Sequence, residues 1–436
     1  MRQSQGFQLY TAEGSIFART HRYHQQRLSP RSPMASANTT NVWAAAGSEF
    51  AAQWTGPGDV FSVLLILGGD VVQLALAALT GGSPVTPIAF SFGWVAYAIS
   101  AMLSAIGDNR LVRCAPEVPV KVFNLGSSYQ RPNQSWLLGR LFKTYPYWMS
   151  PEVNARLQLS ARDDQDRVAL CVAVYKWRKD GQPGFPSRDL LWWSGFFVSA
   201  VQLGVAAIPF ALHKDWAIFL ITACGTLLCH ASASIPQWRH EKWHARRTKK
   251  DVALTLGVGS QHVIIVLGSK DGLDLEDLAA GRAPDMWSTR ISTMVLAILW
   301  LVLLISCTGI KTNTWYLLAV GGLGMLHNTV VAGAPRRPVA LGLPIEPVTT
   351  TNDPGDGGGP RAEVFAEQKV MWTLVELEKQ YNGFGKALLE EFFPGKLRGW
   401  EVAWWESTDP NQRRQLLQQA KDDERVLNAG RRKLTG

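Results

Sequence analysis

Asp70 stands at the centre of an otherwise apolar stretch, Val60 to Leu79, with Gln73 three residues on. At about 1.5 Å per residue such a stretch crosses about 30 Å, the hydrocarbon thickness of a bilayer, which puts the Asp70 carboxylate near the midplane. A carboxylate there costs roughly 2.5–3.5 kcal/mol on insertion scales, so it requires a counter-charge, a proton or water. Spacing places Asp70 and Gln73 on one helical face with Ser62 and Ala77. Four other polar side chains lie deep in apolar stretches: Gln202, His230, His327 and Asn328. Asp70 is about 6 Å deeper than the two histidines, so an intramembrane polar cluster of all six residues is geometrically accessible. Its chemistry would be proton or cation exchange between an acid and an imidazole. The competing reading is a buried acid that joins helices by hydrogen bonds worth about 0.6 kcal/mol each.

Other chemistries find little footing. The five cysteines contain no CxxC pair, and Cys224 and Cys229-His230 are spaced poorly for one helical face, so neither a disulfide framework nor a metal site is expected. Gly257-Val258-Gly259 is a hairpin turn rather than a phosphate loop, because no GxxxxGK[ST] occurs and a strand follows it. With no GxSxG motif or paired carboxylates outside the apolar stretches, an enzyme is the weakest reading, and no cofactor is implied. The basic run WRHEKWHARRTKK, from Trp238, lies directly behind an apolar stretch and suits anionic lipid headgroups better than nucleic acid.

The elements that must position these residues are six apolar windows: Val60 to Leu79, Pro87 to Ile106, Leu190 to Leu212, Trp216 to Ile235, Ile291 to Ile310 and Trp315 to Ala334. They pair into three hairpins with short links at GGSPVTP, Lys214 and Lys311. Of 44 Lys and Arg residues, 42 fall in the tail, the long loops and the C-terminal region, which the positive-inside rule assigns to the cytosol. Both termini are then cytosolic, and neither sequon, Asn38-Thr39-Thr40 or Asn133-Gln134-Ser135, is expected to carry sugar. Trp54, Trp192, Trp193 and Trp238 at one face and Trp216 and Trp315 at the other read as interfacial belts.

The expected organisation is a disordered tail (1–57), hairpin one (58–107), a loop with strands (108–188), hairpin two (189–237), a loop with a strand-turn-strand (238–290), hairpin three (291–335), a Pro/Gly linker (336–361) and a helical C-terminal region (362–436). The arginine-rich first 33 residues have the bias of a mitochondrial presequence, but a plain tail or a start at Met34 fits them better. VPVKVFN and RVALCVAVYKW, rich in Val and alternating apolar with polar, read as strands, and DVALTL and HVIIVLG flank Gly257 to Ser260 as a strand-turn-strand, so the four could pair into one small cytosolic sheet. SWLLGRLFKTYPYW and LDLEDLAAG read as short helices. From Ala362 a further helix sets Val364, Met371, Leu374 and Val375 on one face. Aligning Trp216 with Trp315 also matches Gly225 with Gly324 and Ala233 with Ala332, a faint parallel repeat. Ala96, Ser100 and Ser104, with Gly321, Gly322 and Gly324, suit close helix packing, and Pro209 predicts a kink.

FSFGWVAYAISAMLSAIGD from Phe90, SRDLLWWSGF from Ser187, GSQHVIIVLG from Gly259, GLDLEDLAAG from Gly272, WYLLAVGGLGMLHN from Trp315 and EEFFPGKLR from Glu390 carry a resemblance. Over about residues 55–405 the chain resembles a family of uncharacterised multi-pass integral membrane proteins of filamentous fungi. The resemblance implies a polytopic membrane protein and assigns no catalytic or binding residue. The expectation is therefore an α-helical polytopic membrane protein with six transmembrane helices and a small cytosolic α+β module. It would act as a scaffold or sensor that couples the bilayer to cytosolic protein partners, or alternatively as a small-solute or proton-coupled transporter centred on Asp70.

Overall fold

The computed structural model describes residues 58–107, 111, 115–162, 168–282, 284, 286–350 and 361–435; the expected tail, Trp54, Cys114 and the Asn38 sequon lie outside them. Two apolar helices come first, α1 (Gly58–Leu79) and α2 (Gly93–Gly107). The chain then forms β1 (Lys121–Asn124), β2 (Gln130–Pro132), α3 (Trp136–Lys143), α4 (Tyr145–Trp148), α5 (Pro151–Arg162) and β3 (Leu170–Trp177). An apolar pair follows, α6 (Leu190–His213) and α7 (Ala217–Ala233), then α8 (Gln237–Lys242), β4 (Val252–Thr255), β5 (His262–Leu267) and α9 (Leu275–Leu278). The second apolar pair is α10 (Trp287–Thr308) and α11 (Thr314–Gly333). Strands β6 (Ile345–Pro347), β7 (Thr349–Thr350), β8 (Arg361–Ala362) and β9 (Val364–Glu367) precede the last helices, α12 (Val370–Gln380), α13 (Phe384–Phe392), α14 (Gly399–Glu406) and α15 (Pro410–Thr435).

Three of these helices, α6, α10 and α11, are long and apolar enough to cross a membrane. Helices α2, α7 and the part of α1 from Gly68 to Leu79 are apolar but shorter. Side chains such as Phe197, Leu227, Ile305 and Leu326 stand exposed on the outside of this bundle, which fits a lipid-facing surface and association with a membrane. Trp193, Trp216 and Trp315 are exposed, as a belt requires, whereas Trp192 and Trp238 are buried in the protein and take no part in one.

The expected first hairpin is not formed. Residues 80–92 are non-helical, and α2 begins only at Gly93, which abuts Gly68 halfway along α1. Gly69 meets Ala96, so α1 and α2 run side by side in the same direction. Pro84 and Pro87 explain the break: each lacks an N–H, and each biases the residue before it away from helical dihedrals.

The four strands expected from the two loops do pair, in a sheet ordered β2-β1-β4-β5-β3-β6, with β9 on the same edge of β3 as β6. Strands β3 and β5 are parallel; β4 and β5 form a hairpin around Gly257 and Gly259, both at φ +87°. The C-terminal region is helical as expected, and the described part of the Pro/Gly linker is not all irregular, while residues 351–360 lie outside the described residues. Within 336–350 lie a 3-10 turn (Pro338–Leu341) and β6, and Val364 belongs to strand β9, leaving Met371, Leu374 and Val375 on α12.

Strand alternation gives the sheet two apolar faces. Val122, Leu254, Ile264 and Val266 pack toward Leu137, Leu138 and Leu141 of α3 and toward Leu275 and Leu278. Val172, Val174, Val263 and Ile265 pack on Leu374, Val375, Leu388 and Trp404 of the C-terminal helices. The result is a three-layer α/β/α module whose inner layer, α3, faces the helix bundle.

Within the inner layer the Tyr145 and Tyr175 hydroxyls lie 3.3 Å apart, and the His262 ring meets Tyr145 edge to face. Burial pushes the Tyr175 hydroxyl and the Cys171 thiol each up to about 12, so both stay protonated. Burial also holds the His262 imidazole below its ordinary value near 6.5. The imidazole is therefore neutral when folded and free to take a proton when unfolded, so its contribution is complete above about pH 6.5 and is lost as the pH falls. Thermal unfolding of the full chain in detergent is expected to show this acid-side loss, and His262→Phe to flatten it.

Candidate functional site: a chain segment threaded through the helix bundle

The end of α1 at Leu79 lies beside the module, where Gly81 packs on Trp243 and Gly82 on Pro186. From there Thr86 to Phe92 run into the bundle without forming helix or strand, and every one of these residues is buried. Helix α2 then returns to the module end, packing Tyr97, Ala98 and Ala101 near Ser232, Ile235 and Thr293. A segment outside helix and sheet leaves its own carbonyls without ladder partners, and each would be costly in an apolar interior.

The polar residues singled out from the sequence supply the partners. His230 Nδ1 lies 3.1 Å from the Thr86 carbonyl. The Asn328 amide donates to the Ala89 carbonyl at 3.1 Å and to the Ser91 hydroxyl at 3.3 Å. The Gln202 amide donates to the Phe90 and Val320 carbonyls, both at 2.7 Å. His327 is one step removed, its Nε2 lying 2.9 Å from the Ser194 hydroxyl. Gln202 is twelve residues past the start of α6, so the segment penetrates about 18 Å.

Glycines make room for it. A Cβ at Gly195 would overlap the Pro87 carbonyl, one at Gly324 the Phe90 carbonyl, and one at Gly225 or Gly321 a phenyl ring, Phe90 or Phe92. The repeat partners Gly225 and Gly324 thus clasp the same residue from two helices. Phe90 stacks on Trp300 at 6.2 Å and Trp94 stacks on Trp300 at 5.4 Å, closing the interior with aromatic rings. A residual cavity there of about 10 Å³ is lined by Phe90, Phe92, Trp300 and Leu303, and is about the size of one water probe. Not all polar atoms are matched: Gln202 Oε1, Asn328 Oδ1 and Ser199 Oγ are buried without a partner.

The other two members of the expected cluster are not brought to this site. Asp70 is exposed and Gln73 half-buried on the outward face of α1, because Gly68, Gly69 and Val72 occupy the packed face. Among the described residues no acid is hydrogen-bonded to His230 or His327, and the outward-facing Asp70 is not placed for proton exchange with either imidazole.

Sequence reasoning also missed three buried cations at the module end. Arg140 of α3 donates to the carbonyls of Ala332 and Ala334, 2.8 and 2.7 Å away, and pairs with Glu117 at 2.8 Å. Lys242 donates to the Thr80 carbonyl at 2.8 Å. Arg336 donates to the Ala78 carbonyl at 2.6 Å and forks onto both oxygens of Asp189, the N-cap of α6, at 2.9 Å. Each cation satisfies carbonyls that a helix C-terminus leaves open, where the macrodipole also favours positive charge. For Lys242 and Arg336 the sequence signal was present as basic residues shortly behind apolar windows, which serve as caps here rather than as a diffuse charged surface, whereas Arg140 lies in a short helix far from any window.

Sequence reasoning, which counted no zinc-protease motif, also passed over His240-Glu241-Lys242-Trp243-His244, which has the spacing of HExxH. Helix α8 stops at Lys242, so the two imidazoles do not share a helical face, and Glu241 accepts the Leu111 N–H at 2.8 Å. Among the described residues no group of three ligating side chains stands ready for a metal. No protein-family model, curated protein or solved structure matches the chain.

Proposed function

We propose that the protein is a multi-pass membrane scaffold that holds its α/β module rigidly against one face of a bilayer. The observation that carries this reading is the joint of Arg140, Lys242 and Arg336, whose buried charges bind carbonyls at the ends of α1 and α11. A mobile coupling would leave those charges and carbonyls unpaired, at a cost of several kcal/mol. The filled interior supports the same reading, since a carrier needs space for its cargo. Lipid headgroups of negative charge suit the basic module end, and the exposed side of the module is available to protein partners.

In this reading α1, α6, α7, α10 and α11 cross the bilayer, and residues 80–107 enter and leave on the module side. Irregular backbone at such depth is tolerated where protein surrounds it, as it does here. Gly58 then lies at the end opposite the module, in place of the cytosolic position expected from three hairpins. The absence of Lys and Arg between Arg31 and Arg110 agrees, because the positive-inside rule weighs charges near span ends. Cysteines introduced by Val85→Cys and Lys311→Cys will react with an impermeant maleimide from opposite sides of sealed vesicles. Labelling of both from one side restores the hairpin.

The test of function is reconstitution of the purified chain into proteoliposomes carrying a pH-sensitive dye. A scaffold gives the same slow leak for the wild type and Asp70→Asn. A proton flux that Asp70→Asn removes would overturn the proposal in favour of transport.

A further inference from the structure

Of the six polar side chains buried at depth by sequence position, four turn inward and are hydrogen-bonded. Asp70 and Gln73 turn outward, and neither has a hydrogen-bond or ion-pair partner among the described residues. They lie one turn apart on α1, about 14 Å and 9 Å from its module end. On the membrane reading proposed above, both face hydrocarbon, where a carboxyl and a primary amide need partners.

We infer that this face of α1 is the contact between two copies of the chain, joined by reciprocal Asp70–Gln73 hydrogen bonds. The pair is self-complementary in the way a twofold interface demands. Asp70 offers only acceptors when ionised, Gln73 offers two amide donors, and the twofold matches each to the other chain's complement. A twofold axis along the membrane normal sets the two α1 helices side by side at equal depth. The offset between the residues is then a single turn of about 5 Å, within reach of a glutamine side chain. Side-chain amides are known glue between membrane helices, and two such bonds form at once here. Pairing of this kind also places two α/β modules on the same face, doubling whatever surface they present.

The experiment counts copies of the full-length chain, fluorescently tagged, by single-molecule photobleaching in lipid bilayers over a range of dilution. The wild type is expected to be dimeric. Asp70→Leu and Gln73→Leu should each weaken the dimer about ten-fold without loss of folded protein, because both place an apolar group against lipid. The exchange Asp70→Gln with Gln73→Asp keeps the donor–acceptor complement and should restore pairing. A monomeric wild type, a dimer indifferent to all three variants, or Asp70 engaged by a basic helix of a different protein would overturn the inference. A chain that leaves cells in the aqueous fraction would instead overturn the membrane reading on which it rests.

Discussion

Gly324→Ala is expected to abolish the native packing of the bundle, whereas Gly322→Ala, two residues away, leaves it intact. The Cβ at position 324 would overlap the carbonyl oxygen of Phe90 and crowd the Gln202 amide. Both are backbone or backbone-tethered groups deep in the bundle, so neither can rotate away. Overpacking of this kind costs about 3 kcal/mol or more when the obstacle is backbone, a large share of a typical protein's stability. At Gly322 the added methyl meets nothing within 4 Å, and helix propensity alone makes the change neutral or stabilising by up to about 1 kcal/mol. Thermal melting of both variants in the same detergent reads the difference. Equal melting temperatures would mean that residues 86–92 do not pass between α6, α7 and α11.

Arg336→Met is expected to destabilise the chain by about 2–3 kcal/mol, below the range for a fully buried ion pair because the Asp189 side chain keeps 29 % exposure to solvent. It strands the Asp189 carboxylate, frees the Ala78 carbonyl and loosens the seam between α1 and α6 in one step. The double variant Arg336→Met with Asp189→Asn should be milder than the sum of its singles, because it removes the stranded charge along with its partner. Hydrogen exchange should rise first at the end of α1 and the start of α6, with the far side of the sheet, under α12, unchanged. Additive losses in the two singles would show that the residues do not act as a pair.

Much of the module was legible in the residues. Short runs rich in Val, Ile and Leu mark β1, β3, β4 and β5, and the Gly257 turn marks the hairpin, so local pattern and tertiary pairing agree. The bundle was legible as apolar length and no further. PIAFSF, from Pro87, is as apolar as the helix that follows it, and hydropathy cannot separate a buried non-helical segment from the first turns of a span. The two prolines were the local clue, and reading the second window as a helix from Pro87 passed over it.

Composition and periodicity by themselves determined where the greasy segments lie, that β1, β3, β4 and β5 are strands, and that six polar residues fall within the greasy segments. They also determined that Asp70 and Gln73 share a face, since that follows from 3.6 residues per turn. Only the tertiary structure decided which way the face points, that residues 86–92 thread the bundle, and that Arg140, Lys242 and Arg336 act as caps. The reason is physical. A helix or strand satisfies its own ladder from neighbours in sequence, whereas the carbonyls of an irregular segment or a helix end are satisfied by whatever distant side chain the packing delivers.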